Sequence, residues 1–259
     1  SPVREKCSTD SKDFTHPKDA CWFNKSRKNF VVIGDSHSVE YSYALKEAFA
    51  QSGIGVWQLS FSGCSTPFGK ANDDPCHPWT ELALDQIMRN AEIIDTVFIS
   101  YRLQSALHGR HENVYPEIPK SVTSQENLVV RAKFEQLLSM LNRSADRVVW
   151  LRQAPELDQP MQVKIRKMTS ADDHSVYGVS KNWWNARRFK SESWAKGLQS
   201  KYDVHIFDPM SVFCPKSHCK VIDQSSSLYR DMDHVSVFGA NKILEGYFST
   251  VGRFHDAFN

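Results

Sequence analysis

The sequence predicts a three-layer α/β/α sandwich around a mainly parallel sheet, because short apolar runs alternate along the chain with longer amphipathic stretches. Strands that alternate with helices of about ten or more residues indicate right-handed crossover units and a sheet covered by helices on both faces. The chain has 259 residues, 41% of them hydrophobic, which is enough to bury a full-sized core. In such a fold, reactive groups gather outside the carboxyl ends of the strands.

Apolar runs and helical periodicity place the main elements in order. Strands are predicted at 30–33, 54–61, 95–101, 147–151 and 204–207. Helices are predicted at 38–51, 79–91, 125–141, 183–200 and about 236–248. Residues 1–28 are polar and lysine-rich, and we interpret them as an ordered leader or linker before a domain that spans 29–259. Residues 155–181 are long for a connection and are a candidate lid or substrate loop.

The charge balance argues against a nucleic-acid partner. The 32 basic and 30 acidic residues leave a net charge of +2, without the basic excess that such binding usually requires. The longest apolar runs fall far short of the roughly 20 residues that span a bilayer. Because the sequence starts at Ser1 with no charged and apolar leader, we expect a processed protein or part of a longer one.

The six cysteines fall into neighbouring pairs that close short polar loops. The predicted disulfides are Cys7–Cys21, Cys64–Cys76 and Cys214–Cys219. A zinc site is the competing interpretation, but no C-x-x-C motif occurs and the nearby histidines lack zinc-finger spacing. Disulfides persist outside the reducing cytosol, so the pattern predicts a periplasmic or extracellular chain with no bound metal.

A serine lies at the turn between the first predicted strand and the helix after it, in the string Gly34-Asp35-Ser36-His37. This turn lets a hydroxyl project from the strand ends while its own N–H points from a helix N-terminus, as a nucleophile requires. The alternative is that Ser36 or Ser38 only caps the helix. The string is not the G-x-S-x-G elbow of α/β-hydrolases. His37 is interpreted as a packing or capping residue that points away if the helix begins at Ser36.

A nucleophilic serine needs a histidine to take its proton and a carboxylate to hold the ring. Three Asp-x-x-His strings offer such a pair, at Asp13/His16, Asp74/His77 and Asp231/His234. The first lies in the leader and the second inside the predicted Cys64–Cys76 loop. The third follows the last strand, where the fold brings it to the sheet edge that bears Ser36. We therefore predict Ser36, His234 and Asp231 as the catalytic set.

These motifs resemble the first and last sequence blocks of the SGNH superfamily of serine esterases and acyltransferases. More narrowly, 31–43 (VVIGDSHSVEYSY), 62–64 (SGC) and 229–240 (YRDMDHVSVFGA) resemble the periplasmic SGNH domain fused behind the acyltransferase-3 membrane domain of bacterial O-antigen (lipopolysaccharide) O-acetyltransferases. The resemblance implies an SGNH hydrolase-like, flavodoxin-like fold. It also implies an acetyl-serine intermediate and transfer to a sugar hydroxyl of surface polysaccharide.

The same resemblance implies the cellular setting. The chain would be a periplasmic domain of an inner-membrane protein, and residues 1–28 would connect it to a membrane-embedded acyltransferase-3 domain of the same polypeptide. That membrane domain would hand over an acetyl group that originates from cytosolic acetyl-CoA, with no cofactor bound by this domain.

For the oxyanion hole, the resemblance implies the backbone N–H groups of Ser36 and Gly63. The superfamily's Gly-x-Asn-Asp block is absent, because the third strand ends in Phe98-Ile99-Ser100-Tyr101-Arg102. The resemblance to the fused acetyltransferases implies an arginine after this strand, which makes Arg102 a candidate for oxyanion or substrate contact, with a salt bridge at the strand end as the alternative.

Two other function classes remain open at this stage. One is a stand-alone carbohydrate esterase of the SGNH type, since water in place of a sugar hydroxyl turns the same residues into a hydrolase. The other is a glycan-binding module without activity, in which Ser36 and His234 would lie far apart. Trp183, Trp184 and Trp194 could offer aromatic platforms to a glycan, but packing in the core is the favoured interpretation.

Overall fold

A six-stranded sheet forms the middle layer of the computed structural model, which describes residues 1–2, 4–70, 74–112, 114–120, 122–168 and 176–252. The strands in chain order are β1 (Trp22–Phe23), β2 (Asn29–Gly34), β3 (Gly55–Ser60), β4 (Ile94–Ser100), β5 (Arg147–Leu151), β6 (Tyr177–Ser180), β7 (Val204–Phe207), β8 (His218–Lys220), β9 (Ile222–Asp223) and β10 (Ser226–Ser227). The α-helices are α1 (Arg4–Cys7), α2 (Ser38–Ala48), α3 (Cys76–Arg89), α4 (Leu103–His108), α5 (Ser124–Leu141), α6 (Met161–Arg166), α7 (Lys181–Lys201), α8 (Met210–Phe213) and α9 (Val237–Val251).

The central sheet has the strand order β1-β3-β2-β4-β5-β7, and every pairing except β1 with β3 is parallel. In register, Gly34 lies beside Ser60 of β3 and Ser100 of β4, so three carboxyl ends meet at one edge. All six residues of β2 are buried, as expected for a parallel strand with helices on both faces. The predicted fold class is confirmed.

The two faces of the sheet carry separate apolar layers, because alternate strand residues point to opposite sides. Phe30 and Val32 of β2 pack with residues of α2 and α9, whereas Val31 and Ile33 pack with residues of α3 and α5. The five predicted strands and five predicted helices are all present, with small differences at their ends. Among the described residues, no helix has both the length and the apolar character needed to cross a bilayer.

The predicted leader is packed against the sheet. Its strand β1 pairs antiparallel with β3, and Trp22 stacks on Trp57 with ring centroids 4.2 Å apart. The predicted disulfides Cys7–Cys21, Cys64–Cys76 and Cys214–Cys219 are all formed. Their number fits an extracytoplasmic location. The division of the chain at residue 28 stays a prediction.

The segment 155–181 has more structure than its sequence indicates. It contains α6 and β6, and the side chains of Leu157, Met161 and Val179 are buried in the core. The described ends of this segment are therefore packed elements and not a lid, while residues 169–175 of the predicted lid lie outside the described residues.

Candidate active site

The turn between β2 and α2 presents Ser36 at the carboxyl edge of the sheet. Gly34 allows this turn to lie against β4, because a Cβ atom there would be 1.7 Å from the carbonyl oxygen of Ser100. The hydroxyl of Ser38 donates to the carbonyl of Asp35 over 2.7 Å and lies 2.6 Å from the hydroxyl of Ser60. These hydrogen bonds of Ser38 stabilise the turn, and the side chain of Ser36 faces the cleft.

The second part of the site is the loop that leads into α9. The Oδ1 atom of Asp231 accepts the backbone N–H groups of Asp233 (3.1 Å) and His234 (2.9 Å). The backbone N–H of Arg230 donates to the carbonyl of His234 over 2.9 Å and closes the loop. This local turn is the structural reason for the Asp-x-x-His spacing, because it holds the carboxylate beside the ring of the histidine that follows.

The structure brings the predicted catalytic set together. Nδ1 of His234 lies 2.9 Å from Oδ2 and 3.0 Å from Oδ1 of Asp231, so Nδ1 carries the ring proton and donates a hydrogen bond to this carboxylate. Nε2 is then left to accept the Ser36 hydroxyl, which lies 2.7 Å away. The residues predicted from distant parts of the sequence therefore form a continuous hydrogen-bonded series.

A second carboxylate, which was not predicted from the sequence, also faces the His234 ring. Oδ1 of Asp233 lies 3.2 Å from Nδ1 of His234, and Oδ2 lies 2.6 Å from Nε of Arg102. Burial raises the pKa of Asp233, but its close contacts with His234 and His37 outweigh burial and hold this pKa far below its usual range. The side chain of Asp233 is only 10% exposed, against 36% for Asp231.

The pKa of His234 reflects opposing influences. Burial lowers it, the hydrogen bonds with Asp231 and Asp233 raise it, and the positive charge of His37 lowers it. The net result is a pKa above the ordinary value of 6.5. A neutral His234 ring can accept a proton from the Ser36 hydroxyl, and this capacity is lost as the pH falls through the raised pKa.

His37 was predicted to point away from the site, and this prediction is wrong. Helix α2 begins at Ser38 and not at Ser36, so both Ser36 and His37 belong to the turn and face His234. The rings of His37 and His234 are stacked, with centroids 4.1 Å apart and planes at 22°. The sequence signal that could have revealed this contact is a histidine directly after the candidate nucleophile.

Arg102 follows β4, as predicted, and is held by ion pairs. Besides Asp233, its guanidinium contacts Glu112 at 3.0 Å and lies 3.6 Å from buried Glu156. Its backbone N–H donates to Asp35 Oδ2 over 2.9 Å. Most contacts of Arg102 are therefore ion pairs, as the salt-bridge interpretation predicts. Arg102 also lines the cleft, and its direct contact with substrate stays a prediction.

The predicted oxyanion donors face the same cleft. Ser36 and Gly63 both line it, and neither backbone N–H donates a hydrogen bond within the part of the chain that the structure describes. Gly63 has a φ of +91°, a conformation that favours glycine. An oxyanion hole requires backbone N–H groups that are not already bonded, and the role of Ser36 and Gly63 as its donors stays a prediction.

The cleft has a volume of about 400 Å³. Its lining includes Ser36 and His234, together with the cationic residues Lys70, Arg102 and Arg110. Its size is within the range of small-molecule sites, of roughly 300–1,000 Å³.

The other predicted candidates lie elsewhere. The ring of His16 accepts the backbone N–H of Lys18, and His77 lies 3.4 Å from Glu81 on α3. Trp183 and Trp184 are buried and Trp194 is half-buried, so the core-packing interpretation is the correct one for this helix.

The side chains of His37, Asp233 and His234 converge closely enough to suggest a metal site, with one possible ligand atom of each within 4.8 Å of the others. Their atoms are already used, however, since Asp233 is paired with Arg102 and both nitrogens of His37 face carboxylates. Cys64 and Cys76 also lie near Asp74 but are joined in a disulfide. We interpret the first group as a set of ion pairs.

Arg4 connects the leader to the turn between β2 and α2 that bears Ser36. Its Nη2 donates to the carbonyl of Ser36 over 2.8 Å, and its guanidinium pairs with Glu40, whose side chain is 1% exposed. Arg4→Ala is expected to lower the free energy of unfolding by about 1–3 kcal/mol, because it removes charged hydrogen bonds from a buried carboxylate. Urea denaturation measures this change. Exposed Arg27→Ala serves as the control, and an equal effect of both substitutions would contradict the assignment.

An α/β/α sandwich with a serine, a histidine and an aspartate in hydrogen-bonded series at the strand ends is typical of serine-dependent esterases and acyltransferases of the SGNH type. The family model described as "SGNH domain (fused to AT3 domains)" matches residues 6–247, and the chain belongs to this family. The resemblance predicted from the sequence is thereby confirmed. A sequence comparison with curated proteins finds no match.

Solved structures share the fold. The periplasmic domain of a lipopolysaccharide acetyltransferase from Salmonella ser. Paratyphi A is 12% identical, with a TM-score of 0.61, and the match covers 95% of this chain and 91% of that one. A catalytic mutant of Axe2, an acetylxylan esterase from Geobacillus stearothermophilus, is 11% identical, with a TM-score of 0.50 and coverage of 88% of this chain and 95% of that one. At these identities the similarity concerns the fold.

Proposed function

We propose that this chain is an O-acetyltransferase domain that moves acetyl through an acyl-serine at Ser36 to a sugar hydroxyl of bacterial surface polysaccharide, such as O-antigen. The observation that carries the proposal is the 2.7 Å contact between Ser36 and His234 in a chain whose family is fused to AT3 domains. The non-catalytic alternative required these residues to lie far apart.

Acetyl transfer would proceed in two balanced steps. The Ser36 oxygen bonds to the acetyl carbon while His234 takes the hydroxyl proton, and the donor's leaving group departs with that proton. A sugar hydroxyl then attacks the acetyl carbon, gives its proton to His234, and the bond to Ser36 breaks as the serine regains a proton. Asp231 holds the ring in the required tautomer, and the N–H groups of Ser36 and Gly63 stabilise the oxyanion.

The proposed setting follows from the family and the disulfides. The domain would work in the periplasm behind an acyltransferase-3 membrane domain of the same polypeptide, which would supply acetyl that originates from acetyl-CoA. We propose no cofactor for this domain itself. The family description and the three disulfides support this setting.

The test follows the fate of the acetyl group. The chain is incubated with a chromogenic acetyl ester, with and without O-antigen oligosaccharide, and mass spectrometry measures acetyl on Ser36, acetyl on the glycan and free acetate. We expect acetyl-Ser36 to form and the glycan to become acetylated at the expense of acetate release. Acetate release that no glycan diminishes would make the chain an esterase, and the absence of acetyl-Ser36 would remove the acyl-serine mechanism.

A further inference from the structure

Both ring nitrogens of His37 face carboxylates. Nδ1 lies 3.1 Å from Oδ1 of Asp35, and Nε2 lies 3.6 Å from Oδ2 of Asp233. A neutral imidazole carries a proton on only one nitrogen and would turn a lone pair toward the other carboxylate. An imidazolium presents N–H groups to both. The residue is only 6% exposed, so a lone pair turned toward a carboxylate would be little screened by solvent, and the geometry favours the charged form.

His37 meets His234 through the face of its ring. The ring centroids are 4.1 Å apart, while the hydrogen bonds of His234 to Ser36 and Asp231 are made at the edge of its own ring. His37 therefore leaves the proton path from serine to histidine unobstructed. What it brings to His234 is a positive charge at the distance of direct ring contact.

We propose that His37 is a resident imidazolium whose charge, stacked on His234, opposes protonation of His234 and so favours the neutral form that accepts the Ser36 proton. This proposal rests on the proposed function of His234 as the base. His37 is a positioning residue in this scheme, because it acts through His234.

The need for such a charge follows from the groups around His234. Asp231 and Asp233 both lie within 3.2 Å of Nδ1 and favour a protonated ring, which would leave Nε2 unable to accept a proton. Two cations offset these carboxylates, since Arg102 pairs with Asp233 from the side of β4 and His37 stacks from the side of the turn between β2 and α2. When His234 takes the serine proton, the repulsion from His37 also favours its delivery to the leaving group.

The electrostatic surroundings of His37 agree with the geometry. Burial lowers the pKa of His37, but the charges of Asp35 and Asp233 and the hydrogen bond with Asp35 outweigh burial and raise it to about 10. His37 therefore stays charged at neutral pH. A neutral residue at this position would remove the opposing charge and let the pKa of His234 rise further.

The first experiment observes the wild-type chain by ¹⁵N NMR of its histidine rings. Two protonated nitrogens on His37 through neutral pH are expected, whereas a single protonated nitrogen would overturn the proposal. This readout needs no activity and no variant. It therefore stands even if the acyl-serine mechanism fails its own test.

The second experiment compares His37→Asn with Asp233→Asn, which should act in opposite directions. Since one charge within about 4–6 Å shifts a pKa by about 1–3 units, His37→Asn should move the NMR titration of His234, and the acidic limb of kcat/KM for a chromogenic acetyl ester, at least about one unit higher. Asp233→Asn should move both lower. His205→Asn, on an exposed part of β7, is the control. A folded His37→Asn protein whose His234 titrates as in the wild type would show that His37 is only structural.

Discussion

Ser36→Ala is expected to abolish acetyl transfer, lowering kcat/KM roughly 10⁴- to 10⁶-fold, as loss of the nucleophile does in triad enzymes. The variant keeps His234, Asp231 and the two N–H donors but has no oxygen to bond to the acetyl carbon. Its fold should be unaffected, because within the described part of the chain this hydroxyl makes its hydrogen bond to His234 alone. Release of the chromophore from an acetyl ester measures the rate, and circular dichroism checks the fold.

A serine outside the site provides the matched control. Ser52 lies on an exposed turn after α2, where its hydroxyl donates to the carbonyl of Phe49. Ser52→Ala should retain the wild-type rate. A well-folded Ser36→Ala protein with more than about a tenth of wild-type activity would show that another group attacks the acetyl donor, since a missing nucleophile cannot be replaced so closely.

The central fold could be predicted because its elements carry their own local patterns. Strand β2 reads as an uninterrupted apolar run since helices bury both its faces, and α5 has apolar residues at helical spacing. Strand β1 could not be predicted in the same way. It has only two residues, and its pairing depends on a partner far along the chain, at Trp57 and Val56 of β3.

The candidate site was predictable where one short motif carried the geometry. Ser36 follows a strand, and Asp231 reaches His234 through a single turn. Their positions in the order of strands and helices were therefore enough to predict that they meet at the carboxyl edge of the sheet. The contact between His37 and His234 was missed because it depends on where α2 begins. A helix that starts at Ser38, and not at Ser36, turns His37 toward the cleft.

The buried charges behind the cleft could not be predicted from the sequence at all. Glu156 lies in the segment interpreted as a candidate lid or substrate loop, and its partner Arg187 lies 31 residues further along the chain. Nothing in the local sequence around either residue indicates that they meet. Long-range ion pairs of this kind follow from the packed structure, and not from any periodic pattern.

The cluster around Glu156 joins the cleft to the core. Its Oε2 accepts from Arg187 over 2.5 Å, and its Oε1 accepts from Gln153 over 3.1 Å and lies 3.3 Å from His111. The side chains of Glu156 and Arg187 are both fully buried. Burial raises the pKa of Glu156, but the contacts with His111 and Arg187 outweigh it and lower the pKa to about 2.

Glu156→Gln is therefore expected to lower the free energy of unfolding by about 3–5 kcal/mol, because it leaves the charge of Arg187 buried without its partner. Urea denaturation at neutral pH measures the loss, and exposed Glu92→Gln should change stability by less than about 0.5 kcal/mol. Adding Arg187→Met to Glu156→Gln should restore part of the loss, since the double variant no longer buries that unpaired guanidinium. The lowered pKa gives the sign of the pH dependence of stability. The contribution of Glu156 to the free energy of unfolding is complete above the ordinary pKa of 4.5 and is lost as the pH falls toward about 2.

If Glu156→Gln lowered the free energy of unfolding by less than about 1 kcal/mol, or showed the same acid sensitivity as the wild type, the ion pair would not be what holds this side of the cleft to the core.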